Sequence, residues 1–218
     1  MIYSKAMDLN DYGILPTDFV NRTYNEFKNI CRFEHDHRRW EYALAIDVLM
    51  SNKSENILEV GGGGSLLIPL IYRSPVAMVA TEVDPWDCSD ELRKQEAQLE
   101  LTESIRYFQK DFLDFELDEK FDAVVCTSVI EHVPEHKKFF LKLLDYVEQG
   151  GLLVLTTDFH PSSEPFSANH LRTYSERDML DYIELAEGFT VYGEGYDYTY
   201  WGNYVYEYSF GSLVLKNE

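Results

Sequence analysis

The residues with the clearest chemical promise are acids set beside bare backbone. Glu59-Val-Gly-Gly-Gly-Gly-Ser65 follows a short apolar run. Four consecutive glycines let a chain turn tightly, with no Cβ between its backbone and a ligand. A helix opening at Ser65 would aim unpaired N–H groups at that ligand. No Gly-Lys-Ser or Gly-Lys-Thr follows, so the turn is not a P-loop. Taken alone, it is also what a purely structural turn would look like.

Further polar groups recur at the ends of later apolar runs. Thr81-Glu-Val-Asp84 lies about one strand–helix–strand unit beyond the glycines. An adenosine cofactor needs an acceptor there for its two ribose hydroxyls, with Glu82 the first choice and Asp84 the second. In Lys110-Asp-Phe-Leu113, Asp111 can accept from an exocyclic amine and Phe112 can pack on a purine face, although a Phe so placed commonly belongs to the core. The stretch Cys126 to Pro134, with Thr127 and Ser128 at its start, is expected to line the cleft between cofactor and substrate. Trp40-Glu-Tyr42 lies before the first of these runs, where Trp40 suits either the cofactor's far end or the core. Candidates for a general base are His132, His160, His170 and Asp158, since histidine titrates near neutral pH.

These groups need a scaffold, and the hydrophobic pattern supplies one. Helical spacing runs from His35 to Met50, through Trp40, Ala43, Leu44, Asp47 and Val48. Short apolar strands are expected at Asn56–Val60, Val76–Thr81, Ile105–Gln109, Phe121–Thr127 and Leu152–Thr156. Helices are expected between them: Ser65–Arg73, Cys88–Leu101, and from Pro134 to Glu148, where Gly150-Gly151 stops the last. Ser175 can cap a further helix, with Asp178 three residues on and Gly188 past its end. Strands alternating with helices imply an α/β, doubly wound, mostly parallel sheet covered on both faces. Two final strands, from Phe189 and at Ser209–Leu215, have no helix between them and are expected to close it as an antiparallel hairpin of a seven-stranded sheet. Residues 1–50 read as an N-terminal helical extension covering the cofactor site, and residues 51–218 as the cofactor-binding domain.

In this order and spacing the segments resemble the class I S-adenosylmethionine-dependent methyltransferases, of the small-molecule type with a single methyltransferase domain. The family's glycine motif fits Glu59, Gly61 and Gly63, with Gly62 between them and Ser65 where a third glycine is usual. By this resemblance the ribose acid falls on Glu82, followed by Val83, and the adenine-contacting pair on Asp111 and Phe112. Phe121-Asp-Ala-Val-Val-Cys-Thr-Ser-Val-Ile-Glu-His-Val-Pro134 is similar to the family's fourth-strand motif. Gly150-Gly-Leu-Leu-Val-Leu-Thr-Thr157 and His170-Leu-Arg-Thr-Tyr-Ser175 match later segments. The resemblance covers roughly residues 39 to 215. It implies S-adenosyl-L-methionine as cofactor and methyl transfer to a small-molecule acceptor, with a sugar or glycan precursor one option. A nicotinamide enzyme would need Gly-x-Gly-x-x-Gly, which Leu66 breaks. A catalytically silent partner subunit would have shed the cofactor residues, whereas Glu59, Glu82 and Asp111 are all present.

Composition narrows the partners. Against 39 Asp and Glu stand 19 Lys and Arg, a formal net charge of −20 over 218 residues. Such a surface repels nucleic acid and anionic membranes, so neither is expected as a partner. Cys31, Cys88 and Cys126 are too few and too scattered for a disulfide framework or a zinc knuckle, and no metal is expected. No secretory leader or bilayer-length apolar run is visible, which makes a cytoplasmic location the default expectation. The Tyr-rich stretch from Tyr192 to Tyr208 alternates with the period of a strand, with Tyr196, Tyr198 and Tyr200 and then Tyr204, Tyr206 and Tyr208 on one face. That face suits the core, a homodimer contact or a planar acceptor.

Overall fold

The computed structural model describes residues 1–7, 14–31, 38–161, 172–199 and 209–218. Its chain order is β1 (Ser4–Lys5), α1 (Thr17–Phe27), α2 (Arg38–Asn52), β2 (Asn56–Val60), α3 (Leu67–Arg73), β3 (Val79–Asp84), α4 (Ser89–Leu99) and β4 (Arg106–Gln109). Then follow β5 (Phe121–Thr127), α5 (His136–Asp145), β6 (Val147–Phe159), α6 (Glu176–Leu185), β7 (Phe189–Val191), β8 (Tyr196–Asp197) and β9 (Ser209–Asn217).

Seven strands form one sheet in the order β4-β3-β2-β5-β6-β9-β7, and β1 pairs with β8 in a separate two-stranded ribbon. From β4 to β6 every neighbour is parallel, as strand–helix–strand crossovers require. β9 runs antiparallel to both β6 and β7, so the two closing strands do pair with each other. The sheet alternates its side chains between two cores. Ile57, Ala80, Ala123 and Val125 face α1 to α4, while Leu58, Val60, Val124 and Cys126 face α5 and α6. Helix α2 is apolar around most of its circumference, because it is enclosed between the sheet and its neighbours: Trp40 through Ile46, with Val48 and Leu49, are all buried. At its outer edge Asp47 accepts a 2.9 Å hydrogen bond from Tyr3 Oη, tying the first residues down.

Several boundaries differ from expectation, each for a local reason. β3 begins at Val79 and continues through Asp84, because both its neighbours extend that register. The helix expected from Pro134 to Glu148 would include Val147 beyond Leu143 and Leu144 on its apolar face. Instead Val147 opens β6 and pairs with Phe121, so the helix ends at Asp145. The double glycine after it absorbs a bulge between the Phe121 and Ala123 registers. Gly150 is left-handed there, with φ of +81°, and a Cβ on Gly151 would lie 2.9 Å from the Asp122 carbonyl oxygen. β6 also runs past Thr156 to Phe159, which turns Asp158 from a loop residue into a strand residue paired with Phe210. The cap of α6 is as expected: Ser175 and Asp178 form a reciprocal capping box. No helix of the described residues is long and apolar enough to cross a membrane.

Candidate active site

Strand order reverses between β2 and β5, and in an open α/β sheet the crevice beyond the strand ends at that point is where ligands bind. Two groups of side chains meet there.

The first gathers at the ends of β2 and β3. Gly61 N–H donates to the Val83 carbonyl, which holds the glycine turn against β3. Gly61 is left-handed, and a Cβ on it would lie 2.6 Å from Val129 Cγ2, so the turn also touches the loop after β5. Glu59 is fully buried and accepts from Ser65 Oγ at 2.7 Å. Glu82 is also fully buried. Its Oε1 accepts from the N–H groups of Gly62 at 3.0 Å and Gly63 at 3.3 Å, which sets it against the turn. The carboxylate at the tip of β3 is Asp84. One oxygen accepts from Trp86 N–H at 2.7 Å, and the other lies 3.0 Å from where a Gly63 Cβ would stand. Val83 is core. Lys110 N–H donates to the Asp84 carbonyl, bringing the end of β4 alongside. There Asp111 is exposed and caps a short 3-10 turn by accepting from Leu113 N–H. Phe112 points inward and packs among Phe115, Phe139 and Tyr146, with ring centroids 5.2–6.2 Å away. The exposed aromatic at this edge is Trp86, 58% accessible, a residue that nothing in the sequence pattern singled out.

The second group gathers at the ends of β5 and β6. Ser128 takes a left-handed backbone, with φ of +50°, unusual for a residue with a Cβ. Three bonds hold it: its N–H to the Thr156 carbonyl, its carbonyl to Arg38 Nη2, and its hydroxyl to Glu41 Oε1 at 2.6 Å. Thr156 Oγ1 donates to the same Glu41 oxygen, and the Arg38 guanidinium lies 3.8 Å from the other. Thr157 Oγ1 donates to Glu131 Oε2 at 3.2 Å. Asp158 completes the set, buried and electrostatically joined to Glu131 and Glu41. Burial is the main cause of the high proton affinities here. It lifts Glu131 to about 7 and Asp158 to about 9, with neighbouring carboxyls adding to both shifts. Glu41 is raised for the same first reason, against the pull of Arg38.

Of the histidines, His132 is exposed at the end of a short 3-10 turn, and His160 is half-buried just after β6. His170 lies outside the described residues, as do Tyr200, Tyr204, Tyr206 and Tyr208. Thr127 is buried in β5 opposite Thr156. Trp40 is fully buried in the core, and its indole N–H has no hydrogen-bond partner among the described residues. Tyr198 takes the core role: it stacks on Phe159 and its hydroxyl donates to the Ser212 carbonyl. Sequence reasoning missed Arg38, Thr156 and any role for Glu131. Among the described residues, no group of three His, Cys, Asp or Glu side chains is arranged to hold a metal ion.

Known proteins share both the sequence pattern and the fold. A family model described as a methyltransferase domain matches residues 33–197. The mitochondrial ubiquinone biosynthesis O-methyltransferase of Schizosaccharomyces pombe is 30% identical over 105 residues, 47% of this chain and 38% of that protein. This chain therefore spans well under half the length of that curated relative. Among solved structures, the N-methyltransferase NodS of Bradyrhizobium japonicum in complex with S-adenosyl-L-homocysteine superposes with a TM-score of 0.64 at 16% identity, covering 89% of this chain and 98% of that one. The magnesium protoporphyrin IX methyltransferase of Synechocystis with bound S-adenosylmethionine gives 0.60 at 17% identity, covering 97% and 99%. The chain belongs to the methyltransferase-domain family and has the fold of its class I, S-adenosylmethionine-dependent members.

Proposed function

We propose that this protein transfers a methyl group from S-adenosyl-L-methionine to a hydroxyl of a small molecule. The observation that carries the cofactor half is the juxtaposition of a Cβ-free turn with the Asp84 carboxylate at the tip of β3. A ribose diol needs a two-oxygen acceptor beside an approachable backbone. In this reading Asp84, at the strand tip, is that acceptor, with Glu82 behind it engaged by the glycine amides. Asp111 stands alongside for the purine amine, and Trp86 offers the ring face that Phe112 has spent in the core. The cofactor supplies an electrophilic methyl group on a sulfonium; the chain's own groups have to orient the acceptor, exclude water and take its proton.

Proton removal falls to the second group. Asp158, with its proton affinity raised to about 9, is protonated at neutral pH and becomes a strong base as pH rises toward 9, while Glu131 beside it titrates at about 7. A sugar or phenol must lose a proton around the transfer, so carboxyls that titrate at and above neutral pH support a hydroxyl over an already neutral amine. Asp158 takes precedence over His132 and His160 because it sits inside this cluster. In this reading residues 1–50 serve as the cover of the site, since α2 contributes Arg38 and Glu41 to it.

The test is a methyl-transfer assay with labelled cofactor over pooled sugars, phenols and amines, alongside calorimetric titration with S-adenosylhomocysteine and with NAD. Micromolar binding of the homocysteine nucleoside and label on a hydroxyl pool is the expected outcome. Label on amines alone removes the base assignment. Binding of NAD without the nucleoside removes the cofactor, and nucleoside binding without turnover on any pool, native extract included, favours a silent partner subunit.

A further inference from the structure

A further set of titratable side chains joins the first turn of α5, the helix α6 and the segment that leads into α6. His136 is half-buried at the start of α5. Arg172 Nη1 lies 2.6 Å from its Nε2, against 3.4 Å from its Nδ1, and Nδ1 is 2.7 Å from the Tyr182 hydroxyl on α6. A guanidinium can only donate, so Nε2 accepts and the ring carries its single proton on Nδ1. That fixes the direction of the bonds beyond it. His136 donates to Tyr182, Tyr182 donates to the Tyr174 hydroxyl at 3.2 Å, and Tyr174 donates to the Ile130 carbonyl at 3.4 Å.

The row ends at the acceptor side of the crevice. Tyr174 is fully buried, and its backbone brackets the end of β6. Its N–H donates to the Asp158 carbonyl at 2.9 Å, and its carbonyl accepts from His160 N–H at 2.8 Å. Its hydroxyl meets the carbonyl of the residue before Glu131. One tyrosine therefore touches the backbone at both Asp158 and Glu131. Its ring is held as well, with the Arg172 guanidinium 4.6 Å from the centroid, while Tyr182 stacks on Phe140 at 4.3 Å. Arg172 in turn pairs at 2.7 Å with Asp178, the acid of the α6 capping box.

We propose that Tyr174 is the positioning residue of the proton-accepting group, holding the backbone of Asp158 and Glu131 in place, and that neutral His136 sets it through Tyr182. The role rests on the reading of Asp158 as base; the row of hydrogen bonds does not. A charged His136 is incompatible with the row, because the ring would then present an N–H to the Arg172 guanidinium. Burial, then Arg172, then Lys137 on its own helix hold its proton affinity below the usual histidine range, with Asp178 of α6 opposing. The remaining neighbours do not reverse this. Burial keeps both tyrosines uncharged, Tyr182 at about 12 and Tyr174 higher still. Glu135 pairs with Lys138 at 3.7 Å, and Glu131 is turned to Thr157. The row is therefore complete above the histidine range and is lost as pH falls below it.

Three variants and two readouts test this. Hydrogen exchange at the Tyr174 and His160 amides is expected to quicken about tenfold in Tyr182→Phe and in His136→Leu, the scale of a lost buried hydrogen bond, with the amides of β2 and β3 unmoved. His136→Gln can donate to Tyr182 and accept from Arg172 at every pH, so it should exchange like wild type at neutral pH. Acidification, after correction for intrinsic rates, should quicken the two amides in wild type and not in H136Q. Turnover on the hydroxyl pool should follow: kcat falls about tenfold in Y182F and H136L and is restored in H136Q, with S-adenosylhomocysteine affinity within about twofold throughout. Unchanged exchange in Y182F and H136L, each folded by circular dichroism, overturns the proposal whatever the turnover. Quickened exchange with unchanged kcat overturns the positioning role. If exchange responds as expected but wild type methylates no hydroxyl pool, Tyr174 keeps its place as the anchor of β6 and the base assignment falls.

Discussion

The two halves of the crevice hold buried carboxyls in different ways. At the ends of β2 and β3, Glu82 is held by backbone N–H groups of the glycine turn, supplied by a segment close in sequence. At the ends of β5 and β6, Glu41 and Glu131 are held by the side chains of Ser128, Thr156 and Thr157, with Arg38 beside them. A backbone-built site tolerates many neighbours but no added volume. A site built from side chains tolerates changes of volume but loses its electrostatics when one group is replaced. The first suits an invariant cofactor and the second an acceptor that differs between enzymes of one fold.

Asp158→Asn should therefore lower kcat by about 100-fold or more, the scale of a lost general base, while leaving the dissociation constant for S-adenosylhomocysteine unchanged. Stopped kinetics with matched binding titrations read both, and an equal fall in affinity would merge the two halves. The same substitution should alter the pH dependence of stability. The folded-state proton affinity of Asp158 is raised from 3.8 to about 9, so its contribution is fully present below about pH 4 and is lost as pH rises through 9. Urea midpoints measured across that window should fall more steeply for wild type than for D158N.

The cofactor half should fail by volume instead. Gly62→Ala is expected to weaken nucleoside binding by up to about 100-fold, because a Cβ there would run into the Glu59 carboxyl and overpacking of this kind costs about 1–3 kcal/mol. Gly150→Ala is the control. It shares a left-handed backbone with the glycines of the turn but has nothing within 4 Å of its Cβ, so a modest loss of stability and unchanged binding are expected. Comparable damage to binding from both would mean that a general loss of stability, not crowding at the turn, weakens binding. Asp84→Asn comes next, with roughly a tenfold rise in KM for the cofactor and little change in kcat, as for a charged hydrogen-bond acceptor replaced by a neutral one.

This contrast also explains what the sequence disclosed. Elements whose cause is local could be read directly: the Ser175–Asp178 capping box, the β2 strand running into the glycine turn, and the alternation of strands and helices. Val147 could not, because its helical spacing after Leu143 and Leu144 is overridden by pairing with Phe121. The pair formed by Glu59 and Glu82 was visible as two acids, but their facing each other depends on β2–β3 register, which no local pattern specifies. Glu41 bonds to Ser128 and Thr156, 87 and 115 residues away, so the acceptor cluster had almost no signature along the chain. Phe112 was legible only as an aromatic next to an acid, a pattern that reads alike whether the ring turns inward, as it does, or out.

Trp86 gives the finest test of the comparison, with the smallest effect. Its amide is fixed by Asp84 and its carbonyl by the Tyr107 hydroxyl at 2.6 Å, so the backbone that carries the indole is anchored on both sides. A large aromatic that is anchored yet 58% accessible leaves a preorganised apolar face beside Asp84. If that face meets the purine, Trp86→Ala should cost about three- to tenfold in nucleoside affinity, the scale of one aromatic contact. Trp86→Phe should recover most of it, and kcat should not move. Intrinsic fluorescence gives a reading, because quenching on titration with S-adenosylhomocysteine should vanish in W86F while the emission of the two other tryptophans, Trp40 and Trp201, remains. Quenching that survives in W86F would assign the purine to another face and leave Asp84 and Asp111 as the polar frame of the nucleoside.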